Sequence, residues 1–592
     1  MKKRVADIIM DTLIAYGVDH CFGVVGGGAM FLNHALLKCT AMNKVFNHHE
    51  QASAMAAEAY ARYRGRMAAV CVTSGPGATN TITGVMGAWQ DSYPMIILSG
   101  QVRYAVSVPK TGLNLRYRGI QEFDIIPTVK NMTKYAVMIT DPLEIKRELV
   151  KAINIAMDGR RGPCWLDVPQ DVQSAIVEES DLYAIAEYKS EVPLPKQDEI
   201  TEAIRLLKQA KRPCILTGTG IRSSNAMDAF YHFADQCKIP VIGASWAADN
   251  CYDAYPYYYG LSGNIGPRTG NFILQNADVI LTLGNSLGFR QTGFNLEGFA
   301  PNAKIIMVDA CADEAKKPGL KIHQFIHTDL HEFFRLASCQ KIDIDVDAEW
   351  IGYCQKVKNK FDVFEAAKDI NAADRVCAYE FWRIFRKYEP DDSVLALGNN
   401  TANSAKLQIG IQKKEQRVLT NYTCGSMGYD LPAAIGAAEA SGKKVFCITG
   451  DGSMMMNLQE MQTIIQYALP VKIIVFSNDG YGAIRQTSKN FFEGEYIGCT
   501  PDTGVSFPSY RKIAQTFGFS YMQCATNGDL DQMINTFFSQ EGHVLLEILQ
   551  KFDDPVLPKV MSRLDENGKM ITPVLQDMYP FLEKEEYLSL MF

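Results

Sequence analysis

Short apolar runs alternate with longer amphipathic stretches from one end of the chain to the other. Residues 68–73 and 444–449, for example, have the length and the β-branched content of buried strands. Each run is followed by a glycine-containing turn and then by a stretch with helical periodicity. Strands that alternate with helices in this way predict parallel α/β sheets.

One such unit occurs twice with the same spacing. Residues 68–73 lead into a glycine turn, a helical stretch and a second strand that begins at Pro94. Residues 444–449 lead into a glycine turn, a helical stretch and a second strand that begins at Pro470, and the offset is 376 residues throughout. An ungapped recurrence of strand, turn, helix and strand predicts two related α/β domains in one chain.

The length of 592 residues is too great for a single hydrophobic core. Two charged stretches, 176–199 and 340–374, interrupt the alternation and are interpreted as linkers. The sequence therefore predicts three doubly wound parallel-sheet domains at 1–175, 196–340 and 375–550, followed by a C-terminal tail at 551–592.

The composition is that of a folded protein, with 47% hydrophobic and 21% charged residues and a net charge of −7. The negative charge argues against nucleic-acid and anionic-membrane partners. No apolar run approaches the roughly 20 residues of a membrane span. The 15 cysteines have no CxxC spacing, which favours reduced core residues. We therefore expect a cytoplasmic protein.

The most specific chemical signal lies in the third predicted domain. The glycine turn Gly450-Asp451-Gly452-Ser453 follows a strand and opens a helix, whose free N–H groups suit a phosphate. An acidic residue there would repel phosphate unless a divalent cation lay between them. Asn478 ends the next strand, at the same edge of the sheet. Asp451, Asn478 and a backbone carbonyl, which we assign to Gly480, would complete a Mg²⁺ site with two phosphate oxygens.

The turn at residues 450–453 and the segment Asn478-Asp479-Gly480, at this spacing, together resemble the signature of thiamine diphosphate enzymes. Residues 22–28, 49–51, 73–80 and 425–432 resemble motifs of the acetolactate synthase-like branch, in order over about residues 1–550. The resemblance implies an aminopyrimidine-binding domain, a middle domain and a diphosphate-binding domain. It also implies homodimers or homotetramers, in which the first domain of one subunit and the third domain of another hold each cofactor.

The activity implied by the resemblance is carboligation with thiamine diphosphate and Mg²⁺. A 2-oxo acid, for which we expect pyruvate, loses CO₂, and its two-carbon unit passes to a carbonyl acceptor. Glu50 is implied to contact N1′ of the aminopyrimidine and to support proton transfer there. Gly27 is implied to face the reacting carbon, and Gln121 matches an active-site amide.

The resemblance also implies contacts with the cofactor. Met427 would hold the cofactor in its bent shape, and Asn399 and Asn400 stand where the synthases have Gln and His. The implied cofactor-binding residues are Val25, Gly26, Thr73, Pro76, Asn80, Gln101, Asn399, Asn400, Gly425, Met427, Gly450, Asp451, Gly452, Ser453, Asn478, Tyr481 and Gly482.

The acceptor pocket departs from the synthase pattern. Ile120, Ala483 and Thr487 stand where the synthases have Phe, Met and Trp, and large-to-small changes at a pocket wall create room for a larger ligand. Lys130 and Ile484 complete the predicted pocket. The acceptor is therefore expected to be a second 2-oxo acid or a nucleotide-linked keto sugar.

The middle domain contains a candidate FAD site. Its residues resemble segments that bind a structural FAD in the synthases, although Gly288-Phe289 replaces the usual Asp pair. Generic turns at a sheet edge look the same, so both interpretations stay open. The candidate residues are Gly218, Gly220, Asn285, Arg290 and Asp309.

Two other functions remain open at this point. A simple 2-oxo acid decarboxylase would protonate the intermediate and release an aldehyde, and His48 and His49 form a pair that some decarboxylases use. A non-catalytic paralogue would lack Glu50, Asp451 or Asn478, all of which are present.

Overall fold

Three six-stranded sheets, each with all of its strands parallel, organise the chain. The computed structural model describes residues 1–364, 375–564, 568 and 570–592. The predicted fold class, three parallel-sheet α/β domains, is confirmed. The exact domain boundaries remain a prediction.

The first sheet has the strand order β3-β2-β4-β5-β7-β6. A short antiparallel pair, β1 with β8, joins the two ends of this part of the chain. The strands are β1 Lys2–Arg4, β2 His20–Gly23, β3 Asn43–Phe46, β4 Ala68–Val72, β5 Met95–Gln101, β6 Tyr135–Met138, β7 Pro163–Pro169 and β8 Ile176–Glu178. The helices are α1 Val5–Ala15, α2 Met30–Lys38, α3 Glu50–Arg64, α4 Pro76–Asn80, α5 Ile82–Asp91, α6 Val108–Thr111, α7 Ile126–Val129, α8 Ile145–Met157 and α9 Gln170–Ser174.

The middle sheet has the order β11-β10-β9-β12-β13-β14. From β9 the chain first adds strands on one side of the sheet and then, from β12 onwards, on the other side. Ligands bind at such a switch point in doubly wound sheets. The strands are β9 Pro213–Thr217, β10 Val241–Ala244, β11 Tyr258–Ser262, β12 Val279–Leu283, β13 Lys304–Asp309 and β14 Ile322–His327. The helices are α10 Gln197–Gln209, α11 Gly220–Ser223, α12 Met227–Cys237, α13 Arg268–Asn276, α14 Phe289–Thr292, α15 Leu330–Ala337 and α16 Ala348–Lys360.

The third sheet has the order β16-β15-β17-β18-β20-β19. The strands are β15 Val394–Leu397, β16 Arg417–Thr420, β17 Val445–Gly450, β18 Val471–Ser477, β19 Ser520–Cys524 and β20 Val544–Leu549. The helices are α17 Ala378–Tyr388, α18 Thr401–Ile409, α19 Asp430–Ser441, α20 Asp451–Met454, α21 Glu460–Gln466, α22 Gly482–Phe491, α23 Tyr510–Phe517 and α24 Leu530–Ser539.

The first and third sheets have the same topology. Numbered from the first strand of each sheet, both run 2-1-3-4-6-5. Strands β4 and β5 correspond to β17 and β18, as the recurrence in the sequence predicts. Every residue of these four strands is buried, because helices cover both faces of a parallel sheet.

The segment interpreted as a second linker contains helix α16, which packs on the middle sheet. Trp350 is buried there, and its indole N–H donates to the Pro213 carbonyl at 3.0 Å. This part of the segment therefore belongs to the middle core. Residues 365–374 of the predicted linker lie outside the described residues.

The C-terminal tail crosses from the third domain to the middle domain. It contains the antiparallel pair β21 Arg563–Leu564 and β22 Met570–Ile571, and helix α25 Lys584–Leu588. Leu575, Met578 and Leu590 are buried against the middle domain. The ring of Phe592 stands edge-on to Trp350 and Tyr353.

Helices α3 and α19 connect the first and third domains within one chain. Both helices are rich in alanine, and a Cβ at Gly436 of α19 would overlap the carbonyl oxygen of Ala56 in α3. The hydroxyl of Tyr429 donates to Glu58 at 2.5 Å, and Arg62 holds the other oxygen of Glu58 at 2.6 Å. This close packing fixes the position of the first turn of α3.

Two expectations from composition can be compared with the structure. All 15 cysteines are free in the structure, and most of them are buried. Among the helices in the described ranges, none is both long and apolar enough to cross a membrane.

Candidate active site

The glycine turn of the third domain places Asp451 at the N-terminus of α20. Its side chain is only 4% exposed, and its two oxygens accept N–H groups of Gly452 at 2.8 Å, Asn478 at 2.9 Å and Gly480 at 3.4 Å. Burial raises the pKa of Asp451 to about 6, against the effect of these hydrogen bonds. A bound cation would offset the cost of burying this carboxylate.

The three predicted metal ligands lie together. Strands β17 and β18 are neighbours, so Asp451 and Asn478 meet at one edge of the sheet. The Oδ1 atom of Asn478 is buried and has no hydrogen-bond partner among the described residues. Gly480 has a φ of +151°, and a Cβ there would overlap the Cys499 carbonyl. In the described ranges no group of three His, Cys, Asp or Glu side chains is placed to hold a metal. The predicted site would therefore depend on amide and carbonyl oxygens besides its single carboxylate.

Asp430 supports the loop that carries Met427. It is fully buried and accepts the hydroxyls of Thr449 at 2.7 Å and Ser453 at 2.6 Å. Ser453 in turn accepts the Gly428 N–H at 2.8 Å. The network thereby joins Ser453 to the backbone at Gly428, the residue after Met427.

The two asparagines after β15 also lie beside the glycine turns. Asn399 is exposed and donates to the Gly425 carbonyl at 2.6 Å. Asn400 caps α18 through its Oδ1, which accepts the Asn403 N–H at 2.9 Å. Its Nδ2 is buried without a partner in the described part of the chain, and a Cβ at Gly450 would lie 3.1 Å from its own Cβ. An unpaired donor at this position suits a phosphate oxygen.

Tyr481 and Gly482 begin α22 on the other side of the metal-ligand set. The Tyr481 N–H donates to the Cys499 carbonyl at 3.0 Å, and its ring leaves no room for a Cβ at Gly452. A Cβ at Gly482 would lie 3.0 Å from the Asn478 amide. Both glycines thus permit close packing around the predicted diphosphate site.

In the first domain, Glu50 is the first residue of α3 and is partly exposed. The Asn80 amide donates to Glu50 Oε2 at 2.9 Å, while no hydrogen bond to Oε1 occurs among the described residues. His49 caps the helix, and its Nδ1 accepts the Gln51 N–H at 3.1 Å. Two predicted residues, Glu50 and Asn80, are therefore in contact at the N-terminus of α3.

The glycine loop after β2 lies against Thr73. The Gly28 N–H donates to the Thr73 hydroxyl at 2.9 Å, and a Cβ at Gly26 would lie 2.5 Å from the Cβ of Thr73. A Cβ at Gly27 would meet no atom of this chain within 4 Å. Val25, like Pro76 at the start of α4, is exposed.

Gln101 is placed inside the first domain. It is 2% exposed, and its Nε2 donates to the Phe123 carbonyl at 2.7 Å and to Asp167 at 3.0 Å. Its polar atoms are thus used within the chain, and its contact with the cofactor remains a prediction. Gln121 is exposed, has a φ of +59°, and its backbone lies against the turn at Gly75.

The predicted acceptor-pocket residues fall into two exposed groups. Ile120, at 90% exposure, and Lys130 lie on the first domain, whereas the other three lie on one exposed side of α22. Those three are Ala483, Ile484 and Thr487. Among the described residues, no hydrogen bond joins the first-domain group to the α22 group, so one chain does not by itself show a closed pocket.

The five candidate FAD residues gather at the carboxyl edge of the middle sheet. Gly220 and Asp309 line a cavity there, and a Cβ at Gly218 would overlap Gly284. Burial raises the pKa of Asp309 to about 6. Asn285 donates to the Thr217 carbonyl at 3.3 Å, and Arg290 donates to the Tyr422 hydroxyl at 2.7 Å.

Three further residues support the site, and sequence reasoning missed their roles. Besides Asp430, these are Arg485 and Gln550. Arg485 is fully buried and donates to the Asn478 carbonyl at 3.0 Å, and Gln550 accepts from the Asn478 amide at 3.3 Å. The signal in the sequence was the short separation of Arg485 from Asn478, which is seven residues.

Three family models of thiamine pyrophosphate enzymes match the chain: the N-terminal TPP binding domain over residues 3–125, the central domain over 200–336 and the C-terminal TPP binding domain over 396–548. Thiamine pyrophosphate is another name for thiamine diphosphate.

Similar proteins include the acetolactate synthase isozyme 1 large subunit of Escherichia coli, 30% identical, with 94% of this chain and 95% of that protein covered. The chloroplastic acetolactate synthase of Arabidopsis thaliana is 28% identical, with 95% and 83% covered. The acetolactate synthase large subunit of Lactococcus lactis is 27% identical, with 94% of each chain covered. The chain therefore belongs to the thiamine pyrophosphate enzyme family and is a thiamine diphosphate-dependent enzyme of the acetolactate synthase type.

Proposed function

We propose that this enzyme decarboxylates pyruvate and transfers the two-carbon unit to a second carbonyl compound, with Mg²⁺ holding the cofactor. Thiamine diphosphate supplies the electron sink for the decarboxylation. The observation that carries the proposal is the buried Oδ1 of Asn478, which has no hydrogen-bond partner among the described residues and lies beside the carboxylate of Asp451. Carboxylate, amide and carbonyl oxygens next to helix N–H groups form a donor set for a diphosphate-bound Mg²⁺.

The residues present fit the metal. Asp451, Asn478 and the carbonyl of Gly480 would hold it, and Arg485 orients the loop between the last two. Nδ2 of Asn400, which has no partner within the described ranges, would bind a phosphate oxygen.

Glu50 would exchange a proton with the aminopyrimidine. Its Oε2 is held by Asn80, which fixes the plane of the carboxyl group and leaves Oε1 for the cofactor. The open space at Gly27 leaves room for reacting groups on the same side of the first domain. A positioned carboxyl group of this kind accelerates proton transfer.

We propose that the acceptor pocket is wider than in the synthases and can admit a larger acceptor. Ile120, Ala483 and Thr487 leave more volume than Phe, Met and Trp would, and Lys130 would attract an anionic group. These features support either a second 2-oxo acid or a nucleotide-linked keto sugar.

The test is mass spectrometry of the products formed from pyruvate, thiamine diphosphate and Mg²⁺, with 2-oxobutyrate or a nucleotide-linked keto sugar in parallel reactions. The expected product is a hydroxy-ketone acid or a branched sugar, and the Asp451→Ala variant should form neither. Acetaldehyde as the sole product would favour a simple decarboxylase. Unchanged pyruvate would contradict the proposed donor.

Two adjacent histidines precede α3, where a simple decarboxylase would need proton donors. Nδ1 of His49 accepts the Gln51 N–H and caps α3, so a neutral His49 ring carries its proton on Nε2. His48 is exposed, and its backbone N–H donates to the buried Glu460 of the third domain at 3.0 Å. Both residues thus have structural contacts at the junction of two domains.

FAD at the middle-domain cavity is a second part of the proposal. The close approach of Gly218 and Gly220 to the next strand supports it, because a dinucleotide needs such a glycine turn. An ion pair between Arg160 and Glu314 lines the same cavity and would have to accommodate the ligand. The visible absorbance of the purified protein tests it: a flavin spectrum is expected, and its absence after incubation with FAD would contradict the site.

We also propose that the enzyme is a homo-oligomer with its active site between subunits. Large apolar side chains are exposed on both halves of the predicted site, as an unpaired interface would require. On the first domain these are Val25, Ile120 and Tyr117, and on the third domain Met456, Ile484 and Ile497.

A further inference from the structure

A cavity of about 400 Å³ lies between helix α22 and the C-terminal tail. This tail cavity is lined by Thr401, Asn478, Gly482, Gln486, Lys489 and Lys559, together with acidic and apolar residues of the tail. Its volume falls in the range of about 300–1,000 Å³ that is usual for small-molecule sites. It adjoins the proposed metal site, because Asn478 belongs to both.

One side of α22 faces this cavity. Gly482, Gln486 and Lys489 are spaced by four and three residues, so they share one face of the helix. Residues 483, 484 and 487 lie beside them on the side predicted to face the acceptor. Helix α22 is therefore a wall between the tail cavity and the predicted acceptor pocket.

Lys559 brings a positive charge into the tail cavity. Its Nζ donates to Gln486 Oε1 at 3.0 Å, and no carboxylate lies within 4.0 Å of it among the described residues. Its backbone is fixed by two hydrogen bonds with Tyr579, of 3.0 and 2.7 Å. Burial lowers the pKa of Lys559.

The other charges of the cavity differ from that of Lys559. Lys489 pairs with Asp553 at 3.0 Å. Oδ2 of Asp554 accepts the Ala378 N–H and the Gln550 amide, each at 2.8 Å, whereas its buried Oδ1 has no hydrogen-bond partner among the described residues. Burial raises the pKa of Asp554, which favours its neutral form. Lys559 is therefore the charge that a bound anion would compensate, because a partly buried ammonium with no counter-ion in the described part of the chain is costly.

We propose that the tail cavity is an oxyanion subsite in which Lys559, held by Gln486, binds a phosphoryl or carboxylate oxygen. Two ligands could supply that oxygen: the terminal phosphate of thiamine diphosphate at Asn478, or the anionic group of the acceptor. Only the second source rests on the proposed carboligation. Lys559 lies in the C-terminal tail, beyond residue 548, where the match to the C-terminal TPP binding domain ends.

Cofactor binding tests the first source without any turnover. Calorimetry would give the Kd of thiamine diphosphate and of thiamine monophosphate, each with Mg²⁺, for the full-length protein, Lys559→Met and Lys559→Arg. If Lys559 holds the terminal phosphate, Lys559→Met raises the Kd of the diphosphate about tenfold, the weight of one charged hydrogen bond. The Kd of the monophosphate stays the same, and Lys559→Arg retains most of the affinity.

Steady-state kinetics tests the second source. If Lys559 binds the acceptor, Lys559→Met raises the KM for 2-oxobutyrate about tenfold, with a smaller change in kcat. The KM for an uncharged aldehyde acceptor stays the same, because it has no oxyanion to bind. Lys584→Gln, which removes an exposed lysine elsewhere in the tail, leaves every constant unchanged.

A second variant keeps the test valid if Lys559→Met folds poorly. Gln486→Glu places a carboxylate at the hydrogen-bond partner of Lys559 and neutralises its charge without removing the lysine. It is expected to weaken binding of the same ligand as Lys559→Met does.

If the Kd of thiamine diphosphate and the KM for 2-oxobutyrate both stay within about twofold of the values of the unaltered protein in either folded variant, the proposal of an oxyanion subsite is wrong. Failure of pyruvate turnover in the unaltered enzyme would instead contradict the proposed function, and the cofactor measurement would still stand.

Discussion

Glu50 is the residue on which the proposed proton transfer depends. The Glu50→Gln variant keeps the size of the side chain and can still contact Asn80, so we expect it to fold normally. Turnover of pyruvate should fall by about 10²–10⁴-fold, the usual contribution of a group that transfers a proton. The kcat measured at saturating cofactor, with circular dichroism as the folding control, checks this.

A second Glu→Gln variant shows whether the loss of turnover is specific to position 50. Glu349→Gln alters an exposed residue of α16, far from the first domain in sequence, and is expected to leave kcat unchanged. Near-normal turnover in Glu50→Gln would contradict the role assigned to this carboxyl group.

Asp167 predicts a pH dependence of stability. It is fully buried next to Gln101, and burial raises its pKa from 3.8 to about 7 despite hydrogen bonds from Ser99 and Gln101. The folded chain therefore holds a proton more tightly than the unfolded chain. The stabilisation is complete below about pH 4 and is lost as the pH rises through 7.

The Asp167→Asn variant removes this dependence. Its amide can donate to the Ser99 hydroxyl while its carbonyl still accepts from Gln101, so both contacts survive. We expect the variant to unfold at a higher temperature than the unaltered protein at pH 8, by an amount equivalent to a few kcal/mol. The difference should shrink towards pH 4. Scanning calorimetry over this range measures it, with exposed Asp343→Asn as a control; parallel curves for the unaltered protein and Asp167→Asn would refute the assignment.

At the scale of single residues, the sequence predicts which side chains lie together when they directly follow neighbouring strands. Asp451 and Asn478 could be placed together because consecutive parallel strands end at one edge of the sheet. Asp430, Arg485 and Gln550 could not, because each reaches the site from another element through a buried hydrogen bond. Such contacts depend on how helices pack, which residue spacing does not reveal.

At the scale of elements, the packing of α3 against α19 positions the first domain relative to the third. Gly436→Ala would force a methyl group against the backbone of Ala56, and overpacking of this kind costs about 1–3 kcal/mol. We expect a lower unfolding temperature in spite of alanine's better helix propensity. A shift in the opposite direction would show that the two helices can separate without cost.

Gly352→Ala is the matched control for that substitution. Gly352 also lies inside a helix, α16, but it is exposed, and a Cβ there would meet nothing within 4 Å. The change should therefore stabilise the protein by up to about 1 kcal/mol, the propensity difference between the two residues. Opposite signs for the two variants in thermal unfolding identify packing as the cause.

The repeat of one unit was predictable from the sequence, but the path of the tail was not. The 376-residue offset preserves the strand, the turn, the helix and the second strand of that unit, whereas the order of all six strands is seen only in the structure. The tail instead buries single apolar residues, such as Leu575, Met578 and Leu590, against a domain more than 200 residues away in sequence. Its short, non-periodic pattern gives no indication of its partner surface.

At the scale of the whole molecule, the candidate catalytic residues lie on two separate domains. Glu50 and Asn80 belong to the first domain, and Asp451 and Asn478 to the third. Within the described residues no hydrogen bond links these two pairs. The exposed apolar residues beside each pair, among them Ile120 and Ile484, would be covered if the two halves came from different subunits.

Mixed oligomers of two inactive variants test this arrangement. Glu50→Gln damages only the first-domain half of a site, and Asp451→Ala only the third-domain half. If each site combines halves from two chains, a mixed dimer has one site with both lesions and one intact site. Random mixing makes half of the dimers mixed, so co-expressed variants should recover about a quarter of full activity. If both halves came from the same chain, every site would carry a lesion and activity would stay at the level of the single variants, which are therefore the baseline for the measurement.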